Sequence, residues 1–193
     1  MTTVRANVRI DRGTRLLPLL IGERSSPRSC FPQQDSLQNG NVEEHPNRRA
    51  FRGVLTIVDA RSDRRPAGAR GHNVLMTKQA AEDSLHTLLG MGLCFTENFK
   101  GHDPRRKCGI ITRAAIVENR IEVSGHIYER DFPEVVEAIS ACEEDFGMSF
   151  EVADAVVGDM RSVVWTLNRV TFVGASVLLK KKAAYKNTSI TLA

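Results

Sequence analysis

The feature that most constrains this chain is a succession of short apolar, β-branched runs separated by turn residues. Phe51–Val58, Leu93–Phe95, Cys108–Val117, Arg120–Tyr128, Met148–Ala153, Met160–Leu167 and Val170–Leu179 each read as a strand. Glu118-Asn119 separates two of them by a gap short enough for a tight hairpin. Only two helices are signalled between the strands. Thr77–Leu89 has Thr77 as N-cap and Gly90 as its stop. The second opens at Asp131-Phe-Pro-Glu134, where Asp131 caps, Pro133 suits the first turn and Glu134 completes a capping box. Val135, Ile139 and Cys142 then form its apolar face. About seven strands with two inserted helices predict an α+β, mainly β fold, a closed antiparallel β-barrel decorated by helices. Two helices are too few to cover both faces of a parallel sheet, which argues against a doubly wound fold.

Residues 1–50 differ from the rest. They hold Pro27, Pro32 and Pro46, with 8 Lys and Arg against 5 Asp and Glu, so this segment supplies most of the chain's net charge of +4. Apart from a short alternating piece at Val4–Ile10, it reads as a flexible basic arm. Residues 51–185 form the barrel domain, and 186–193 a C-terminal tail. No stretch reaches the ~20 apolar residues of a membrane-spanning helix. Cys30, Cys94, Cys108 and Cys142 form no CxxC pair and read as free thiols.

Nucleotide-binding Gly-rich loops and the Gly-x-Ser-x-Gly elbow are absent. Cys94, His102 and Cys108 lack a fourth ligand and a zinc-site spacing, so neither metal nor cofactor is expected. Among five histidines, His102 stands out. It occupies the turn Phe99-Lys-Gly-His-Asp-Pro104 directly after a strand, where an imidazole is well placed for acid–base work. Ser149 lies in Asp145-Phe-Gly-Met-Ser-Phe-Glu151, where a helix hands over to a strand. Strand alternation turns Ser149 away from Met148 and Phe150 and onto the same face as Glu151. Taken singly, each has an ordinary structural role as its alternative. Arg64-Arg65, Arg105-Arg106-Lys107 and Lys180–Lys182 raise nucleic-acid binding as a further reading. With 6% aromatic residues the chain has few stacking platforms, which argues against nucleic acid as a partner.

The order of these pieces carries a resemblance. A turn histidine (Gly101-His102-Asp103), a hairpin, an Asp-Phe-Pro helix, a Gly147-Met148-Ser149-Phe150 strand and a late Arg169–Ala175 strand follow one another over residues 51–185. This resembles the prohead (capsid maturation) serine proteases of tailed bacteriophages, whose barrel is similar to that of herpesvirus assemblins. The resemblance implies a serine endopeptidase with Ser149 as nucleophile and His102 as general base. It would cleave major capsid and scaffold proteins, and itself, inside an immature capsid in the host cytoplasm, with homo-oligomerisation left open. The family usually orients its base with an acidic residue or second histidine from the late strand. Arg169 stands where Glu is usual, and Thr171 where Ser is common. Thr171, Asp103, Glu151 or a water are the candidates for a third group, a simple dyad being the alternative. A catalytically inactive capsid- or scaffold-interacting barrel is the second functional reading.

Overall fold

A computed structural model describes residues 45–193; the Val4–Ile10 piece and most of the expected arm lie outside them. The fold is mainly β, one eight-stranded sheet with two α-helices. In chain order the elements are β1 (Arg49–Ile57), β2 (Asn73–Met76), α1 (Lys78–Ser84), β3 (Gly92–Cys94), β4 (Lys107–Val117), β5 (Arg120–Ile127), α2 (Pro133–Ala141), β6 (Phe146–Val157), β7 (Val164–Leu179) and β8 (Ser189–Leu192).

β7 organises the sheet. β6 runs antiparallel along one of its edges. On the other edge β2 pairs parallel with Val164–Leu167, and β3 pairs parallel with Ala175 and Ser176. From β3 the sheet continues through β4, β5 and β1 to β8. Met160–Leu167 and Val170–Leu179 are thus not two strands. They belong largely to a single strand of 16 residues that bends at irregularities in its pairing with β6, near Val156 and between Glu151 and Val152. Such bulges absorb the mismatch in register and increase local twist.

The expected closed antiparallel barrel is corrected on two counts. β2 and β3 pair in parallel, and the sheet curls into a half-barrel whose ladder does not close. Its end strands approach through packing. A Cβ on Gly147 would lie 2.5 Å from Thr188 Oγ1, and one on Gly53 3.0 Å from Met148 Sδ, yet among the described residues β6 pairs only with β7. The final residues 186–193, expected as a tail, instead contribute β8. Its Ile190 and Leu192 pair with Gly53 and Phe51 of β1. The alternation of Ser189-Ile-Thr-Leu192 suits a half-buried strand.

The helices follow local chemistry. Thr77 Oγ1 accepts from Ala80 N at 3.1 Å and so caps α1 as expected. The helix ends earlier than Leu89, because Ser84 turns its hydroxyl back onto Ala80 O (2.7 Å) and the chain tightens to a 3-10 turn over Leu85–Leu88. At α2 the cap position is Phe132 and no side chain caps it. Asp131 instead accepts a hydrogen bond from Asn47 Nδ2 at 2.8 Å. Val135, Val136 and Ile139 carry α2 into a core with Leu55, Ile111, Ile127, Met148 and Phe172. The β4–β5 hairpin turns at Glu118-Asn119 as expected. Among the described residues, no helix is long and apolar enough to cross a membrane.

Candidate active site

Three neighbouring strands place a row of small polar side chains on one face. Ser149 on β6 is the cross-strand partner of Ser176 on β7, and Ser176 is the partner of Cys94 on β3. Glu151, two residues beyond Ser149, shares that face. His102 belongs to the loop between β3 and β4, which is pinched at its neck by Phe95 N donating to Arg106 O (3.3 Å). Two bonds hold the loop down on β7: Ser176 Oγ donates to Gly101 O (2.9 Å), and Leu179 N donates to Phe99 O (2.8 Å). Phe99 takes a left-handed φ of 51°, an uncommon conformation for an aromatic residue. Its ring packs tilted against Phe95 and edge-to-face against Phe146.

This anchoring presses the imidazole into the protein, where its side chain is 1% exposed. Nδ1 stands 3.7 Å from Glu151 Oε1 and 3.8 Å from Cys94 Sγ. Nε2 is buried without a hydrogen-bond partner among the described residues. Burial, with the nearby charge of Lys107, holds the imidazole well below its ordinary value, down to about 4. At neutral pH the ring is therefore uncharged, and its approach to Glu151 is an orienting contact between a neutral ring and a carboxylate, slightly too long for a hydrogen bond. Burial also raises the Cys94 thiol above its usual range. Cys94 accordingly stays protonated, which disfavours it as a nucleophile.

Ser149 is 4% exposed, and no hydrogen bond joins it to His102. The two residues reach the same region through the Ser149–Ser176–Gly101 connection, with the imidazole sealed from solvent. Asp103 is engaged in its own turn, accepting from Arg105 N at 3.0 Å and Arg105 Nε at 3.3 Å, bonds that hold its carboxyl below the usual range. Thr171 pairs with Ala153, and five residues of strand separate it from Ser176. None of the contacts of the His102 ring involves Thr171: Nδ1 lies against Glu151 and Cys94, and Nε2 has no partner among the described residues. Of the proposed third groups, Glu151 is the one the fold brings to His102. Ser176 and Cys94 complete the surroundings; the sequence points to Cys94 only as a rejected metal ligand and to Ser176 not at all, because their signal is register, visible only once β3 and β7 are paired. Arg169 is exposed on β7. Of the remaining histidines, His72 stacks on Trp165 at 4.6 Å between centroids. Among the described residues no group of three or more His, Cys, Asp and Glu is placed to hold a metal ion.

No protein-family model and no curated protein matches this chain.

Proposed function

We propose that the chain is a serine endopeptidase of the prohead-maturation type, acting on capsid and scaffold proteins and held in a latent state by its own β3–β4 loop. The observation that carries this reading is the sealed imidazole. One ring nitrogen faces Glu151, the other is buried and unpartnered, and Ser149 shares the strand face of that carboxylate. An unpaired buried nitrogen costs free energy, and a lone pair left free in this way is available to accept a proton from a serine hydroxyl.

In the active state Ser149 Oγ attacks the scissile carbonyl while His102 Nε2 takes its proton. The same proton then passes to the leaving amine, leaving an acyl-enzyme that water hydrolyses by the same route. Glu151 fixes the ring and stabilises the imidazolium as it forms. With its pKa near 4 the closed ring is too weak a base for efficient transfer at neutral pH. Loosening the loop admits water and substrate and restores basicity, which ties activity to a partner or an assembly that opens it.

The test is co-expression with capsid and scaffold proteins, comparing the native chain with Ser149→Ala. Shortened products that vanish in the variant, together with fluorophosphonate labelling confined to the peptide containing Ser149, support the peptidase. Processing that survives Ser149→Ala removes it. Capture of the partners without cleavage by either form favours the inactive scaffold-interacting barrel.

A further inference from the structure

β6 pairs with β7 alone among the described residues. Its first residues are flanked by Thr188 and Gly53. Beyond them, Ser149, Phe150, Val152 and Val157 form one wall of a cavity of about 190 Å³ whose other side includes Val74 and Trp165. The lining includes Ser149 and Phe150, neighbours on β6, and continues over Trp165 and Leu167 of β7 to Val74 of β2, so the cavity extends from β6 across β7. Arg70 stands on its rim, exposed, and its guanidinium has no hydrogen-bond or ion-pair partner among the described residues.

We propose that this edge and cavity are the substrate cleft of the peptidase: an extended peptide adds as a strand to β6, seats a bulky apolar side chain in the cavity and sets an acidic residue against Arg70. An unpaired strand edge offers main-chain donors and acceptors in the spacing that an extended peptide matches. An apolar cavity of about 150 Å³ suffices for a benzene ring, so the volume here accepts a leucyl or phenyl group. A charged side chain in the same place loses its hydration without a partner. The guanidinium then adds a charge-assisted bond to a carboxylate at the rim. The catalytic meaning of the cleft rests on Ser149 being the nucleophile; the binding itself does not.

Trp165 is the only tryptophan in the chain, so its emission reports occupation of the cavity whether or not cleavage follows. The experiment titrates full-length Ser149→Ala with short end-blocked peptides that differ at one position, Leu or Phe against Asp or Gly. Leu and Phe peptides are expected to shift Trp165 emission and bind at least about tenfold more tightly than the others. Arg70→Ala, an exposed substitution, is expected to weaken only the peptides that carry a neighbouring acidic residue. An emission response indifferent to that position, or none with Leu and Phe, overturns the cleft. Cleavage of the same peptides is scored separately, with the native chain purified together with the capsid and scaffold proteins it is co-expressed with, the state in which its loop is expected to open. Apolar-selective binding without cleavage keeps the cleft and removes the peptidase, whereas cleavage indifferent to the apolar residue keeps the peptidase and removes the cleft.

Discussion

Ser176 and Gly101 are joined by a hydrogen bond of 2.9 Å that ties β7 to the residue before His102. Ser176 is also the strand partner of Ser149. One hydroxyl thus connects the loop carrying the proposed base to the strand carrying the proposed nucleophile. Ser176→Ala removes the donor and leaves a buried carbonyl unpaired, a loss of about 1–2 kcal/mol. Faster amide exchange is expected at residues 99–103, with β4 and β5 unchanged. Under the latent-enzyme reading, the same variant labels more readily with fluorophosphonate. Unchanged exchange in the loop would show that this bond is not its latch.

Glu151 can be displaced without being replaced. It pairs with Gly174, where an added Cβ would lie 2.6 Å from its Oε2. Gly174→Ala therefore pushes a flexible carboxylate away from His102 while removing no titratable group. If Glu151 orients the ring, turnover falls by about 10²–10⁴ in Glu151→Gln, the range over which losing an orienting carboxylate acts. Gly174→Ala falls part of the way, with KM little changed. Equal activity in all three proteins would leave His102 without its orienter.

Local signals carried the hairpin at Glu118-Asn119, the Thr77 cap, the Pro133 start of α2 and most strands, because each depends on a few adjacent residues. Closure of the barrel was not legible, since it depends on whether two end strands meet in register. β8 is not signalled in the sequence because four residues carry little periodicity. The long β7 reads as two strands in sequence because bulges interrupt its alternation near Asn168 and Arg169. At the site, His102 stood out by its turn and Ser149 by its handover from helix to strand. Thr171 was favoured by position along a motif, whereas Glu151 is selected by a loop folding back across β7, which sequence spacing does not encode.

Gly125 tests the curl of the sheet. It opposes Ile111 on β4 and Phe51 on β1, and a Cβ there would overlap Ile110 O. That obstacle is backbone within a ladder, so no side-chain rotation relieves it. Gly125→Ala is expected to destabilise the protein by about 2–4 kcal/mol, in the range of severe core overpacking. Urea denaturation measures this, and a change under 1 kcal/mol would mean that β4 and β5 can separate freely.

The buried ring also makes a prediction about acid. His102 is held from 6.5 down to about 4 by burial, so between those values the unfolded chain binds a proton that the folded chain refuses. Stability is therefore complete above about pH 6.5 and falls as the pH drops toward 4. The difference corresponds to about 3 kcal/mol. The groups facing the ring are Glu151, Cys94 and Lys107. Of these, only the carboxylate opposes the trend, by favouring the charged ring. His102→Asn removes the titration and keeps a polar side chain of similar reach. Denaturation at pH 7 and pH 4 should show the native protein losing about 3 kcal/mol more than the variant, other carboxylates contributing equally to both. Parallel losses would mean that the imidazole accepts its proton within the fold, which happens only if water already reaches Nε2 and the loop over the site is open.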